Sequence, residues 1–448
     1  MTYIVATGQS ETVKQSSRQL TRGLLGLIFA VPLFSFLLTH DALARGGEEW
    51  FSAWTVSHNV PATGPALSSS TVRMIVRPTI SGNELRVKLE NTVSTTPVSF
   101  AAAYVGVLDS GADIVPGTNR QLSFGGSSAL TLGPGEGAWS DPVKFHVKAL
   151  QRLAVSLDIA YADVISTHTL GLTTNYSAPG SRAGDESGNG FTPVPPIPTG
   201  AVLAFPFYWI AAVDVRSPST TGTVVTFGDS ITDGRCSTTT DNGAGVVLPD
   251  LYQRWTDVLA ERLAALPESQ SKAVANEGIA GNRIVSGGNG PPAIVRVDRD
   301  VLERAGATHV IFFEGTNDIS GGADSATVIA GARNIIGRVK NAGLKIIGVT
   351  MIPRGRPASV PGTGFTALQE QYRLEVNQWM RTSNEFDAVI DFDQLMQGGG
   401  KSPTGAEIIR ADYNCDYIHP NAAGYKAMGD YIDLSLFKNI SDWARGRK

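Results

Sequence analysis

From about residue 70 to 175 the chain alternates apolar and polar positions with the two-residue period of a β-strand. Val72, Met74 and Val76 form one such run, and Leu85, Val87 and Leu89 a second. Val143, Phe145 and Val147 follow, then Leu153, Val155, Leu157 and Ile159. Turn-forming gaps such as Ser81-Gly82-Asn83 and Gly133-Pro134-Gly135 separate these runs. The expected arrangement is a set of antiparallel strands with one buried face, packed as a β-sandwich. Ser177 to Gly200, rich in Gly, Ser and Pro, reads as a loop whose polar first half is mobile. Pro206–Val215 reads as a further strand returning to the sandwich, and Ser217–Gly222 as a short polar linker.

The rhythm changes at Thr223. Short apolar runs at Thr223–Phe227, Lys272–Asn276, Thr308–Glu314, Leu344–Thr350 and Ala388–Phe392 have the composition of fully buried parallel strands. Helical periodicity fills the gaps: Arg254–Leu266, with Leu259, Leu263 and Leu266 on one side, and stretches near 297–305, 324–342, 366–384 and 422–435. Alternating strands and helices predict a doubly wound α/β domain, whose working loops lie beyond the C-terminal ends of its strands. The fold class is therefore α/β, a parallel-sheet domain over residues 223–448 preceded by an all-β sandwich over residues 45–216.

Residues 1–44 carry a different signal. Lys14, Arg18 and Arg22 precede an uncharged stretch from Gly23 to Leu38, and Ala42-Leu43-Ala44 offers a small-residue cleavage site. That order describes a secretory signal peptide. The apolar run is shorter than the roughly 20 residues of a membrane-spanning helix, so cleavage rather than stable membrane insertion is expected. The mature chain is expected to be secreted or periplasmic. A net charge of −4, with no run of Lys or Arg, excludes the basic face of a general nucleic-acid binder. The 6 histidines are scattered without metal-ligand spacing, so neither metal nor other cofactor is expected.

The candidate chemistry sits in the second half. Ser230 lies in a Gly228-Asp229-Ser230-Ile231-Thr232 turn, and Asp416 and His419 follow far downstream in Asp416-Tyr417-Ile418-His419-Pro420. A serine hydroxyl is barely ionised at neutral pH and needs a base; an imidazole steadied by a carboxylate supplies one. The Ser230 amide, the Gly281 amide and the Asn317 side-chain amide are candidate donors to the oxyanion of a tetrahedral intermediate. Ser230, Gly281 and Asn317 each follow a predicted strand and so converge on one sheet edge. If that site forms, Cys236 and Cys415 come close to each other, and an oxidising compartment lets them pair as a disulfide.

These blocks resemble those of the SGNH hydrolases, the GDSL esterase/lipase family. Gly228-Asp229-Ser230 is similar to the nucleophile block, and Asn276-Glu277-Gly278-Ile279-Ala280-Gly281-Asn282 to the glycine block. Gly315-Thr316-Asn317-Asp318 is similar to the Gly-x-Asn-Asp block, and Asp416-x-x-His419-Pro420 to the last. The resemblance implies Ser230 as nucleophile, Gly281 and Asn317 as oxyanion donors, and Asp416 with His419 as the relay. Trp50-Phe-Ser-Ala-Trp54 and the strand-rich region resemble bacterial two-domain members with an N-terminal β-sandwich. Ile231 stands where Leu is commoner, and Ala280 where Ser or Gly is common; the loop from Cys236 to Tyr252 is expected to shape the substrate pocket.

The expected activity is that of a serine esterase cleaving a small-molecule or glycan ester through an acyl-enzyme. Rival readings are a carbohydrate O-deacetylase, a lipase for longer acyl chains, and a non-catalytic glycan-binding protein. Sandwich aromatics fit sugar stacking, but they fit a sandwich core at least as well. Glu277 and Glu314 are expected to border the pocket and could pass for a glycosidase pair, although the serine constellation needs neither. His146 and His168 read as sandwich residues and His309 as structural. Asp229, Asp233 and Asp318 are expected to fix loops through backbone amides.

Overall fold

Two antiparallel sheets close over the alternating apolar positions. A computed structural model describes residues 49–199, 202–239, 247–362 and 364–438, and the expected signal peptide lies outside them. One sheet runs Glu49–Thr55, Ile210–Ser217, Gly82–Glu90, Gly137–Trp139, with Val143–Val147 also on Gly82–Glu90. The other is built on the long strands Val60–Val76, Leu153–His168 and Val98–Val107, with Tyr176–Pro179 on its far side. Val72, Met74, Leu85, Val87, Leu153 and Val155 all enter one core. Each such side chain, fully withdrawn from water, contributes roughly 1.5–3 kcal/mol.

The expectation of a single buried face fails for the two longest strands. Thr71 to Val76 and Leu153 to Ile159 are buried on both faces. On the outer face Ile75 and Ala154 pack with Leu108 and Ile114, and the polar alternates are buried as well: Thr71, Arg73, Ser156 and Asp158. What covers them includes the segment expected to be a mobile loop. Asp158 accepts the amides of Arg182 and Ala183, both at 2.9 Å. Arg73 donates to the Asp185 carbonyl at 2.6 Å and lies 4.1 Å over the Phe191 ring. Tyr176–Pro179 pairs with Val60–Val76, and Thr192–Pro193 pairs with Tyr176–Pro179 in turn. Polar composition suggested mobility; two buried charged side chains instead give that backbone its hydrogen-bond partners.

The second half forms a five-stranded parallel sheet in the order Ala273–Gly278, Thr223–Gly228, Ala307–Phe313, Lys345–Val349, Ala388–Ile390. The chain leaves Thr223–Gly228 on one side and returns on the other, which opens a crevice at the carboxyl ends of the central strands. Helices Trp255–Ala264, Ser325–Asn341, Ala367–Thr382 and Ala422–Tyr431 lie where periodicity placed them. The stretch expected at 297–305 begins earlier, as a helix over Ala293–Val297 that passes into a π turn over Asp298–Leu302. The last helix ends at Tyr431, before a separate 3-10 turn over Leu434–Phe437.

The two layers meet in a dry polar seam. Arg296, 1 % exposed, donates to the Asn282 side chain at 3.0 Å, the Glu277 carbonyl at 2.7 Å and the Gly228 carbonyl at 3.0 Å. It also pairs with Asp300 at 3.1 Å and Glu314 at 3.4 Å. Ser57 of the sandwich reaches Glu277 at 2.5 Å and Asp300 at 2.9 Å, and Arg304 pairs with Glu277 at 2.6 Å. Burial pushes the Glu277 carboxyl up to about 7 against the pull of Arg304, and burial pushes Glu314 well above the carboxylate range. Removing one partner from such a seam strands the others without water. Arg296→Met should therefore lower stability by about 3–5 kcal/mol, read as a shift of the denaturant midpoint. A midpoint equal to the parent's contradicts this account of the seam.

Candidate active site

Ser230 opens a one-turn helix, Ser230–Asp233, just after the strand Thr223–Gly228. Asp229 caps the turn by accepting the Ile231 amide at 2.9 Å. The turn can press onto the sheet only because its neighbours are glycine: a Cβ on Gly228 would stand 2.1 Å from Thr232 Oγ1, and one on Gly278 2.3 Å from the Asp233 nitrogen. Ser230 is thereby held with its hydroxyl beyond the strand end.

From the far end of the chain, Asp416 accepts the amides of Ile418 at 3.0 Å and His419 at 2.8 Å. This turn folds the imidazole back onto the carboxylate, and His419 Nδ1–H donates to Asp416 Oδ2 at 2.9 Å. Nε2 is left to accept the Ser230 hydroxyl at 2.8 Å. The structure thus brings Ser230, His419 and Asp416 into one hydrogen-bonded chain. Burial lowers the pKa of His419; Asp416 opposes this, and the guanidinium groups of Arg235 and Arg354 reinforce it. Asp416 is held below the usual carboxylate range: burial works against this, but His419 and two backbone amides outweigh it.

The sequence-predicted oxyanion donors flank the same hydroxyl. Among the described residues no protein acceptor takes the Ser230 or the Gly281 N–H. Gly281 sits at φ +79°, where a Cβ would also meet Asn289 at 2.7 Å. Asn317 directs its NH2 to the Asn282 carbonyl at 3.0 Å and, more loosely, to Asp229 at 3.4 Å. Ala280, a departure from the commoner residue, is held by Asp233, which accepts its amide at 2.8 Å. The three loop-fixing aspartates behave as expected; Asp318 accepts the Ile284 amide at 2.9 Å and Val285's at 3.2 Å. Burial pushes Asp229 up to about 7, against the Ile231 amide and Arg354.

His168 is a sandwich residue that reaches this machinery. Its Nδ1–H donates to the Ser57 carbonyl at 2.7 Å, and Nε2 stands 3.0 Å from Asp233. Burial opposes its protonation, but the Asp233 carboxylate prevails and its pKa is raised. The other histidines have structural places: His309 is buried edge-on to Phe437, and His146 bonds Asn83 at 3.1 Å. Glu277 and Glu314 do not border the pocket as expected. They are 0 % and 1 % exposed in the seam beneath it, because Arg296 and Arg304 draw them inward.

Around Ser230 and His419 lies a cavity of about 560 Å³. Asn59, Val60, Thr169 and Leu170 of the sandwich form one wall, and Arg235, Asn289 and Arg354 add further polar groups. Sequence reasoning missed all of these. Arg354 follows the strand Lys345–Val349, so the strand-end rule pointed to it; nothing local marks Asn59 or Thr169. Of the loop expected to shape the pocket, residues 240–246 lie outside the described residues, and Val247 packs with Leu170 and Leu172.

Cys236 and Cys415 form the expected disulfide, with Cα atoms 6.3 Å apart across 179 residues of chain. Cys236, Asp416 and His419 also come within 4.8 Å of one another. That trio does not suit a metal, since the sulfur is in the disulfide and both ring nitrogens of His419 are engaged.

Residues 226–427 match the sequence model of the GDSL-like lipase/acylhydrolase family. This part of the chain belongs to that family. No curated protein matches the sequence. Solved structures similar to this GDSL-like chain include an aryl esterase from M. smegmatis, in its inhibitor-bound form, at 18% identity and TM-score 0.36, covering 50% of this chain and 99% of that one. A carbohydrate acetylesterase from Sinorhizobium meliloti is similar at 17% identity and TM-score 0.35, covering 50% and 99%. A GDSL-like lipase from Bacteroides thetaiotaomicron is similar at 18% identity and TM-score 0.35, covering 48% and 88%.

Two outcomes follow from this geometry. A base with a lowered pKa is already neutral at the ordinary histidine value, so the acid limb of kcat/KM for an aryl ester should fall below about pH 6.5. A limb above that value would show that Asp416 outweighs burial and the two arginines. The denatured, unreduced chain should show no titratable thiol, and replacing both cysteines by serine should cost about 2–4 kcal/mol of stability.

Proposed function

We propose that the chain is a secreted or periplasmic serine esterase, acting on carboxylic esters through an acyl-enzyme and without a cofactor. Membership of residues 226–427 in the acylhydrolase family supports ester hydrolysis. The observation that carries the finer reading is the 2.8 Å contact between Ser230 Oγ and His419 Nε2. In this reading His419 takes the hydroxyl proton as Ser230 attacks the ester carbonyl, and Asp416 steadies the imidazolium. The carbonyl oxygen, now an anion, is received by the unengaged amides of Ser230 and Gly281, and by Asn317 once its loose contact with Asp229 yields. His419 returns the proton to the leaving alcohol, and water repeats the sequence to release the acid.

Export rests on the N-terminal segment of the sequence. Among the described residues no helix is long and apolar enough to cross a membrane.

Ser230→Ala should reduce hydrolysis of a short-chain aryl ester by several orders of magnitude, about 10⁴-fold or more, with an unchanged circular dichroism spectrum. A fluorophosphonate should label the parent chain and not the variant. Undiminished turnover by folded Ser230→Ala overturns Ser230 as the nucleophile, and a folded parent that resists labelling returns the non-catalytic binding reading.

A further inference from the structure

Arg235 is the least satisfied charge near the proposed nucleophile. Its backbone is fixed from three sides: its amide donates to the Ser230 carbonyl at 2.9 Å, its carbonyl accepts the buried Tyr425 hydroxyl at 2.7 Å, and the next residue, Cys236, is in the disulfide. Its side chain has no hydrogen-bond or ion-pair partner among the described residues. Nε is buried without a hydrogen-bond partner, and among the described residues the guanidinium has neither a carboxylate nor a carbonyl acceptor. It lines the same cavity as Ser230 and His419.

Arg354, across that cavity, is anchored by neutral groups. It donates to the Thr316 carbonyl and hydroxyl, each at 3.2 Å, and to the Ser320 hydroxyl at 3.1 Å. The one carboxylate among the cavity's lining residues, Asp416, is already committed to His419. Asp229 and Asp416 both draw on the Arg354 charge, which leaves Arg235 as the cavity guanidinium with no carboxylate of its own among the described residues. Among the described residues the buried arginines each have an internal acceptor: Arg296, Arg304 and Arg373 have carboxylates, and Arg73 has Ser156 and backbone carbonyls. A half-buried cation on a rigid backbone with no internal acceptor is a group whose acceptor arrives from outside.

We propose that Arg235 is a specificity-determining residue that binds a carboxylate carried by the ester substrate, so that the preferred substrates are anionic esters. This rests on the esterase reading above and narrows it. Arg354 adds to the field without being the primary contact. The carboxylate can belong to the alcohol or to the acyl part, and separate substrates distinguish them.

The test compares matched pairs on the full chain. 4-Acetoxybenzoate against 4-acetoxybenzamide places the charge on the alcohol. A mono-aryl adipate against its amide places it on the acyl part. Each kcat/KM is normalised to the rate of hydroxide hydrolysis. In at least one pair the anionic ester should be preferred by about tenfold or more at low salt, as a charge-assisted hydrogen bond implies, and the preference should shrink as ionic strength rises. In Arg235→Gln the ratio should fall toward one, and Arg235→Lys should retain part of it. Because each ratio is read on one preparation, incomplete folding of a variant does not distort it. The parent's own ratio decides the matter even where a variant cannot be made. Ratios near or below one in both pairs overturn the proposal, as does an Arg235→Gln variant that loses anionic and neutral turnover equally. Failure to hydrolyse even the neutral esters would instead sink the esterase reading.

Discussion

One buried guanidinium, that of Arg296, ties together strand ends that the parallel sheet has brought side by side. It touches the carbonyl ending the strand before Ser230, the carbonyl and side chain of the glycine block, and the acid ending the strand before Asn317. Ser57 of the sandwich reaches into the same group at 3.3 Å. The three strand ends that carry Ser230, Gly281 and Asn317 are thus fixed from below by hydrogen bonds from one buried guanidinium. Buried in this way, each contact is stronger than at a surface, and loss of one partner is more costly. Placement of the proposed oxyanion donors depends on charges that never touch the cavity.

The sandwich is joined to this arrangement through specific contacts. His168 fixes Asp233, and Asp233 fixes the amide of Ala280 beside Gly281. Asn59 and Thr169 furnish part of the cavity wall. A parallel sheet alone would present Ser230 at an open edge. With the sandwich against it, the edge becomes a pocket.

Much of this was legible in the chain itself. Buried parallel strands announce themselves as short apolar runs, and blocks placed just after them must gather at one edge, so Ser230, Gly281 and Asn317 were found together. The pairing of Cys236 with Cys415 followed from the same closure. The errors share a cause. Arg73, Asp158, Glu277 and Glu314 look like surface or pocket residues because a charge in a sequence does not reveal its partner. In the fold, each is buried against a partner outside its own element, Asp158 against the amide of Arg182 and Glu277 against Arg304. Arg235 was passed over for the opposite reason. Its proposed role rests on a side chain without an acceptor among the described residues, which a sequence cannot display.

The distance along the chain between Cys236 and Cys415 has a bearing on biosynthesis. A ribosome must add 179 residues after the first cysteine before the second exists, and the imidazole facing Ser230 comes later still, 189 residues beyond that serine. Over that interval of translation the polypeptide holds the proposed nucleophile without its proposed base. In the proposed reaction, reactivity begins only when the late segment docks, and the disulfide then fastens that docking.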